Sequence, residues 1–294
     1  MLRGLRWGIS LVFLLGVGIA IQAQESYLDE YIVHVKPDRR AAFDAVIKKM
    51  AAANRGDQGD KWLTLESIYG ENNTIRFVSI RPSYASIEPA NAAFNAALQK
   101  ALGSAGASKL MADMSDTTTE ARGLLLRRRT DLSANPPANA AEEAKIVGGT
   151  RWVRLLRISV RIGMAPRFEE LAKQVKAAEE KTSPNIHNWI SQSVAGDRAS
   201  VYYVAELQPS LAGFDSSPAL PQMMGNDAYQ ALLKSAAEVI QNEEITLNQF
   251  LPALSNPPAD TVNAAPDFWN PKPAAPKPAA AKPAAKVPTR SEEH

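Results

Sequence analysis

The stretches WLTLESIYGENNTIRFVSIRPS (Trp62 to Ser83) and WISQSVAGDRASVYYVAELQPS (Trp189 to Ser210) carry the same punctuation. Each opens on Trp and closes on Pro-Ser, and Trp to Pro is 20 steps in both. Trp occurs only 5 times in 294 residues, so the match constrains the fold strongly. The segments upstream agree as well. Val35 to Phe43 and Val160 to Phe168 are both 8 steps. Val46, Ile47 and Met50 then follow the first phenylalanine at i+3, i+4 and i+7, and Leu171, Ala172 and Val175 follow the second. That is one face of a helix in each case.

A second helical stripe follows each Pro-Ser. Phe94, Ala97, Leu98 and Ala101 form one, and Tyr229, Leu232, Leu233 and Ala236 the other. Tyr31, Val33 and Val35 alternate like Leu156, Ile158 and Val160, as strands do. Asn72-Asn73 and Gly196-Asp197 punctuate two hairpins. The chain therefore reads as α+β, with two tandem ferredoxin-like βαββαβ units. Pro-Ser to the next helical aromatic is 12 steps in the first unit and 20 in the second. On that alignment, LGSAGASKLMADMSDTTTEA (Leu102 to Ala121) reads as an inserted loop.

The flanks differ in composition. Arg3 and Arg6 precede an uncharged apolar run from Trp7 to Ala23, which reads as a signal peptide over 1–23. The expected location is then periplasmic or secreted, or membrane-anchored if the segment stays uncleaved. The first unit is expected at 24–133, a linker at 134–149 and the second unit at 150–257. Residues 258–294 read as a disordered Pro/Ala-rich tail, densest from Pro271, where frequent proline forbids helix and sheet. There is no cysteine, which excludes disulfides and thiolate metal sites. The net charge of +2 gives no nucleic-acid footprint. The one dense basic run, Arg127-Arg128-Arg129, sends its neighbours to opposite faces of a strand and makes no patch.

The strand-to-helix turns VKPDRRAAF and RIGMAPRF, with the two Trp-to-Pro-Ser hairpins, give Glu25 to Pro257 a resemblance to the dimeric α+β barrel superfamily. The halves resemble NIPSNAP-like and antibiotic-biosynthesis-monooxygenase-like domains. The resemblance implies two sheets packed into one intramolecular barrel with four helices outside. It covers cofactor-independent oxygenases, isomerases, haem-binding enzymes and proteins without a known reaction.

Candidate site residues follow from alternation. His34 and Lys36 share a face opposite Val33 and Val35, and Arg157, Ser159 and Arg161 share the matching face of the second unit. This predicts a basic interior for an anion, with His34 as the catalytic acid-base group. Trp62 and Trp189 are expected to stack a flat ligand. Tyr203 is placed in the same pocket, because Tyr202 must face the other way. His187, two residues before Trp189, is a candidate axial ligand for haem, the one cofactor the resemblance admits. No metal site and no nucleophile or phosphate-loop motif is present. The reading is an exported protein that binds a small anionic or aromatic ligand or is non-catalytic. The alternatives are a cofactor-independent monooxygenase or isomerase, and a structural envelope protein held by its tail.

Overall fold

Eight strands close on one another and leave no free edge. The computed structural model describes residues 26–198 and 200–270. The expected signal peptide and the tail from Pro271 lie outside the described residues. The first half runs β1 (Tyr27–Val35), α1 (Arg40–Gly56), β2 (Leu63–Tyr69), β3 (Thr74–Arg81), α2 (Ile87–Thr117) and β4 (Thr118–Arg128). Helix α3 (Ala140–Gly149) leads to the second half. That half runs β5 (Trp152–Val160), α4 (Ala165–Thr182), β6 (Asn188–Ala195), β7 (Val201–Gln208), the short α5 (Ala212–Ser216) and α6 (Leu220–Met224), α7 (Asn226–Val239) and β8 (Ile240–Phe250). Helices α8 (Ala259–Ala264) and α9 (Pro266–Trp269) follow. The strand order β1-β3-β2-β8-β5-β7-β6-β4 makes a closed antiparallel barrel. Strand β8 joins β2 at one seam and β4 joins β6 at the other.

The registers of the halves match. Tyr27 pairs with Arg81 and Arg127, and Trp152 pairs with Gln208 and Gln249. A bulge interrupts the ladder between His34 and Val35, and another between Ser159 and Val160. Outward-facing residues of each half pack under its helices. Val33, Val35 and Ile75 meet Phe43, Ile47 and Met50 of α1, while Ile158, Val160 and Tyr202 meet Phe168, Leu171 and Ala172 of α4. Fully burying a side chain such as Phe43 or Ile47 contributes about 1.5–3 kcal/mol.

Three sequence expectations change. Leu102 to Ala121 is not an inserted loop: it forms the second part of α2 and the start of β4. Gly103 (φ 71°, ψ 164°) breaks α2, and Gly225 (φ 84°, ψ 152°) precedes α7 in the same backbone conformation. Each glycine lies 15 residues before the bulge-paired start of its strand, at Thr118 or Ile240. The counterparts of Tyr229, Leu232 and Ala236 are therefore Ala107, Leu110 and Met114, all buried, and not the Phe94 stripe. That stripe is helical too, but it belongs to the preceding turns of α2, where Ala97 and Leu98 are buried.

The linker is also partly helical. Asn139 caps α3 by accepting from Glu142 N (3.0 Å), and Glu142 accepts from Ala138 N (2.7 Å), a reciprocal cap. The tail begins later than residue 258. Helix α8 packs on α3, where a Cβ at Gly148 would lie 2.5 Å from that of Ala264. Trp269 is 2 % exposed and donates Nε1 to Gly148 O (3.0 Å). Its buried ring helps to anchor this short segment to the barrel. Together α3, α8 and α9 close over the barrel end that holds Val153, Leu207 and Phe250.

Candidate functional site

Residues at alternate positions of the strands point inward, and they divide the barrel interior in two. At the end carrying the β2–β3 and β6–β7 turns, the interior is polar. Asp197, from the second turn, is buried and takes Arg157 Nη2 (2.9 Å) and the Tyr203 hydroxyl (2.9 Å), with Arg122 at 3.8 Å. Ile32, Leu124, Leu126, Val201 and Tyr203 then form an apolar layer. Beyond it, toward α3, lies a cavity of about 530 Å3.

Leu28, Leu65, Leu126, Leu155, Leu207 and Phe250 supply most of this interior cavity's wall. Its polar groups are few. Glu30 is buried and pairs with Arg76 (2.9 Å). Burial pushes the Glu30 carboxyl above the usual carboxylate range, against the opposing pull of Arg76. Burial, reinforced by Asp197, pushes the Tyr203 hydroxyl up to about 12, so Tyr203 stays a neutral donor. At the mouth, Arg128 lies 5.4 Å over the Trp189 ring and pairs with Glu143 of α3 (2.6 Å). Three wall atoms are buried without a hydrogen-bond partner among the described residues: Glu143 Oε1, which is held in its ion pair with Arg128, and Trp189 Nε1 and Asn248 Oδ1, which have no partner of either kind. Asn248 is held by its other amide atom, which donates to Thr246 Oγ1 (2.9 Å) and Val153 O (3.3 Å).

A second cavity, of about 600 Å3, lies outside the barrel between the second half's strands and α4, α6 and α7. Leu132, Leu156, Phe168, Leu171, Tyr229 and Leu232 line it, with Glu179, Asn188 and Glu206 among them. Burial pushes the Glu179 carboxyl up to about 7, against a hydrogen bond from Asn188.

The expected site residues separate. Trp189 and Tyr203 line the interior cavity. Arg157 donates to the Tyr203 hydroxyl (3.2 Å) from the polar end, and its ion-pair partner is Asp197 rather than a ligand anion. His34 shares the inward side of β1 with Glu30 and Ile32, but it sits at the turn end, hydrogen-bonded to Thr74 (3.1 Å) and 3.6 Å from Glu71. It lines neither cavity. Arg161 lies past the bulge that ends β5 and is exposed. Trp62 is core: its Nε1 donates to Leu254 O (2.9 Å) and its ring meets Phe94 edge-on.

The tryptophans are not in equivalent places. Leu63 pairs with Val78 and Trp189 with Ala205, while Val78 and Ala205 take matching places against β1 and β5. Trp189 therefore occupies the position of Leu63. A one-residue offset sends the two rings to opposite faces of the sheet. The paired residues Glu66 and Ile75 are 9 steps apart, and Gln192 and Tyr202 are 10, so the second hairpin holds the extra residue.

His187 lines neither cavity; its Nδ1 is 3.1 Å from Asn135 O. The described walls offer no imidazole to haem iron, so the residues present do not fit a histidine-ligated haem. Among the described residues no three His, Cys, Asp or Glu side chains converge as metal ligands. Glu30, Arg76, Asn248 and Glu179 were not singled out by sequence. A charged residue at an inward strand position was the available signal for the first two. The basic run alternates as expected, with Arg128 inward and Arg129 outward on Glu169 (2.8 Å).

No family model matches the chain, and no curated protein matches it. Solved structures do. A putative monooxygenase from Fusobacterium nucleatum is 11% identical, with a TM-score of 0.50 over 78% of this chain and 94% of that one. An anthrone oxidase-like protein is 10% identical, with a TM-score of 0.50 over 78% and 92%. A putative chlorite dismutase is 12% identical at a TM-score of 0.48, over 78% and 96%. At these identities the likeness concerns the fold alone, an eight-stranded closed antiparallel barrel with helices outside, which is consistent with the dimeric α+β barrel.

Proposed function

We propose that the barrel interior binds a small, mainly apolar or aromatic ligand that brings one hydrogen-bond acceptor and one donor. The observation that carries this is two unpartnered wall atoms, Trp189 Nε1 and Asn248 Oδ1, in a mainly apolar cavity whose charged groups, Glu30 with Arg76 and Arg128 with Glu143, pair with one another. Leaving a buried polar atom unsatisfied costs ~1–3 kcal/mol, so a ligand that satisfies both gains twice. The Glu30–Arg76 pair is already balanced, which favours a neutral ligand over an ion. Size supports the reading, because ~300–1,000 Å3 is the range of small-molecule sites. The probe for a test is 1-naphthol, followed by tryptophan fluorescence of the full chain. Trp189→Phe is expected to weaken binding, and Ala205→Leu, opposite Trp189, to abolish it by filling the cavity. Wild-type affinity in both variants overturns the proposal.

The names of the structural neighbours supply a second reading, a cofactor-independent monooxygenase or isomerase-like enzyme. It has less support here, because His34, its expected base, lines neither cavity. Export through residues 1–23 and envelope contact through the tail belong to the same proposal. A mature mass that starts near Gln24 is the expected result. The matching registers support reading 24–133 and 150–257 as two copies of one unit.

A further inference from the structure

We propose that the cavity under α4, α6 and α7 is a separate binding site, for a ligand with a cationic amine head and an apolar body. Glu179 is 6 % exposed, and its Oε1 accepts from Asn188 (2.5 Å). Among the described residues its Oε2 has no hydrogen-bond partner and no Lys or Arg forms an ion pair with it; Lys176 exerts only a weak electrostatic pull. The neighbouring cations are committed elsewhere. Lys176, on the same helix, donates to Glu180 (2.6 Å) and Ser133 O (2.5 Å). Arg154 of β5 pairs with Glu206 of β7, whose other oxygen already accepts from Gln208 and Ser217 (both 3.1 Å). Glu243 of β8 is exposed at the rim. Asn188 Oδ1 is a second buried acceptor without a partner.

The wall therefore presents acceptors in excess and one buried carboxyl without a counter-ion. An anion would meet Glu179 and Glu206, and an alcohol would leave the carboxylate unpaired. An ammonium group supplies up to three donors and the missing charge. Leu132, Leu171, Tyr229 and Leu232 suit an aliphatic or aromatic body. Burial, with Glu206 and Glu180 adding to it, pushes the Glu179 carboxyl up to about 7, so binding near neutral pH draws on its ionised fraction and releases the proton.

The test is calorimetric titration of the full chain with octylammonium, 1-octanol and octanoate at pH 6 and pH 8. With Glu179 at about 7, its ionised fraction rises ~tenfold between these values, so octylammonium is expected to bind ~tenfold more tightly at pH 8. It should also bind at least ~tenfold more tightly than 1-octanol there, as a charge-assisted hydrogen bond requires. Glu179→Gln is expected to bring octylammonium down to the affinity of 1-octanol and to remove the pH dependence. Trp189→Phe should leave amine binding unchanged, which separates this site from the barrel interior. Equal wild-type affinities for octylammonium and 1-octanol at pH 8 overturn the proposal, whatever the folding of the variant. So does wild-type amine binding in a folded Glu179→Gln.

Discussion

The helix-covered face of the first half is packed with large side chains, and the same face of the second half holds a cavity of about 600 Å3. Register-matched positions show why. Ile47 of α1 faces the place that Ala172 takes in α4, and Met50 the place of Val175. Met114 of α2 matches Ala236 of α7. Tyr229 in place of Ala107 restores only part of the volume. One frame thus carries a filled interface and an open one, and smaller side chains at these positions contribute to the difference. The lesson is that matching backbone order says where a pocket can form, and side-chain volume decides whether it does.

The largest effect sharpens this contrast. Phe43 and Phe168 are register-matched, but Phe43 is fully buried among large neighbours, while Phe168 borders the cavity. Phe43→Ala is expected to cost ~3–5 kcal/mol in urea unfolding, the usual range for a sealed aromatic. Phe168→Ala should cost less, because part of its ring already borders open cavity rather than packed side chains. The reverse order would break the comparison.

Glu179 gives the next effect, through pH. Its carboxyl stands at about 7 in the folded protein against an ordinary 4.5. Between those values the folded state binds more protons than the unfolded one, so stability falls as pH rises through this window. Glu179→Gln should match the wild type below pH 4.5 and exceed it above pH 7, by on the order of 2–3 kcal/mol. Denaturant melts at pH 4.5 and pH 8 measure this. A variant less stable than wild type at pH 8 would mean that a hidden counter-ion holds the carboxylate.

Filling the open interface is the third test. Ala172→Ile with Ala236→Met restores the first half's side chains at the second half's positions. The double variant should gain ~0.5–2 kcal/mol, as cavity-filling substitutions do, and lose octylammonium binding. Loss of stability instead would show that the helices of the second half sit too close for those volumes.

The strand and helix order was legible because apolar spacing repeats wherever one face must be buried. Phe43, Val46, Ile47 and Met50 are all buried as their i, i+3, i+4, i+7 spacing demands. The second helix of the first half misled because α2 carries two apolar stripes, and the aromatic one at Phe94 is not the counterpart of Tyr229. The positive φ of Gly103 and Gly225, which fixes the true alignment, has no signature beyond the glycine itself. The interior cavity was half legible. Trp189 and Tyr203, both singled out in the sequence, do line that cavity, but nothing local says that Asp197 reaches back from a turn to hold Arg157. Glu179 was hidden for a related reason: a glutamate within AAEEKT reads as a solvated helix end, and only the packing of β6 against α4 buries it.

The smallest expected effect concerns the two tryptophans, whose equal 20-step distance to Pro-Ser conceals a one-residue difference in register. Trp62 faces the helices and spends its Nε1 on Leu254 O, whereas Trp189 faces the barrel interior and spends its Nε1 on nothing in the protein. Phenylalanine keeps much of the ring but removes the indole N–H. At position 62 the change removes one of the two hydrogen bonds to Leu254 O, which Thr64 Oγ1 still holds (2.8 Å), and should cost ~1 kcal/mol, the ordinary net worth of one hydrogen bond, beyond any loss of ring volume. At position 189 it removes an unsatisfied donor, so its stability change should be near zero or slightly favourable. The same substitution should act oppositely on 1-naphthol binding, weakening it at 189 and leaving it unchanged at 62. Parallel urea melts and fluorescence titrations of the two variants measure both effects. Equal stability losses at the two sites would place the rings in equivalent surroundings and undo the offset on which the interior site depends.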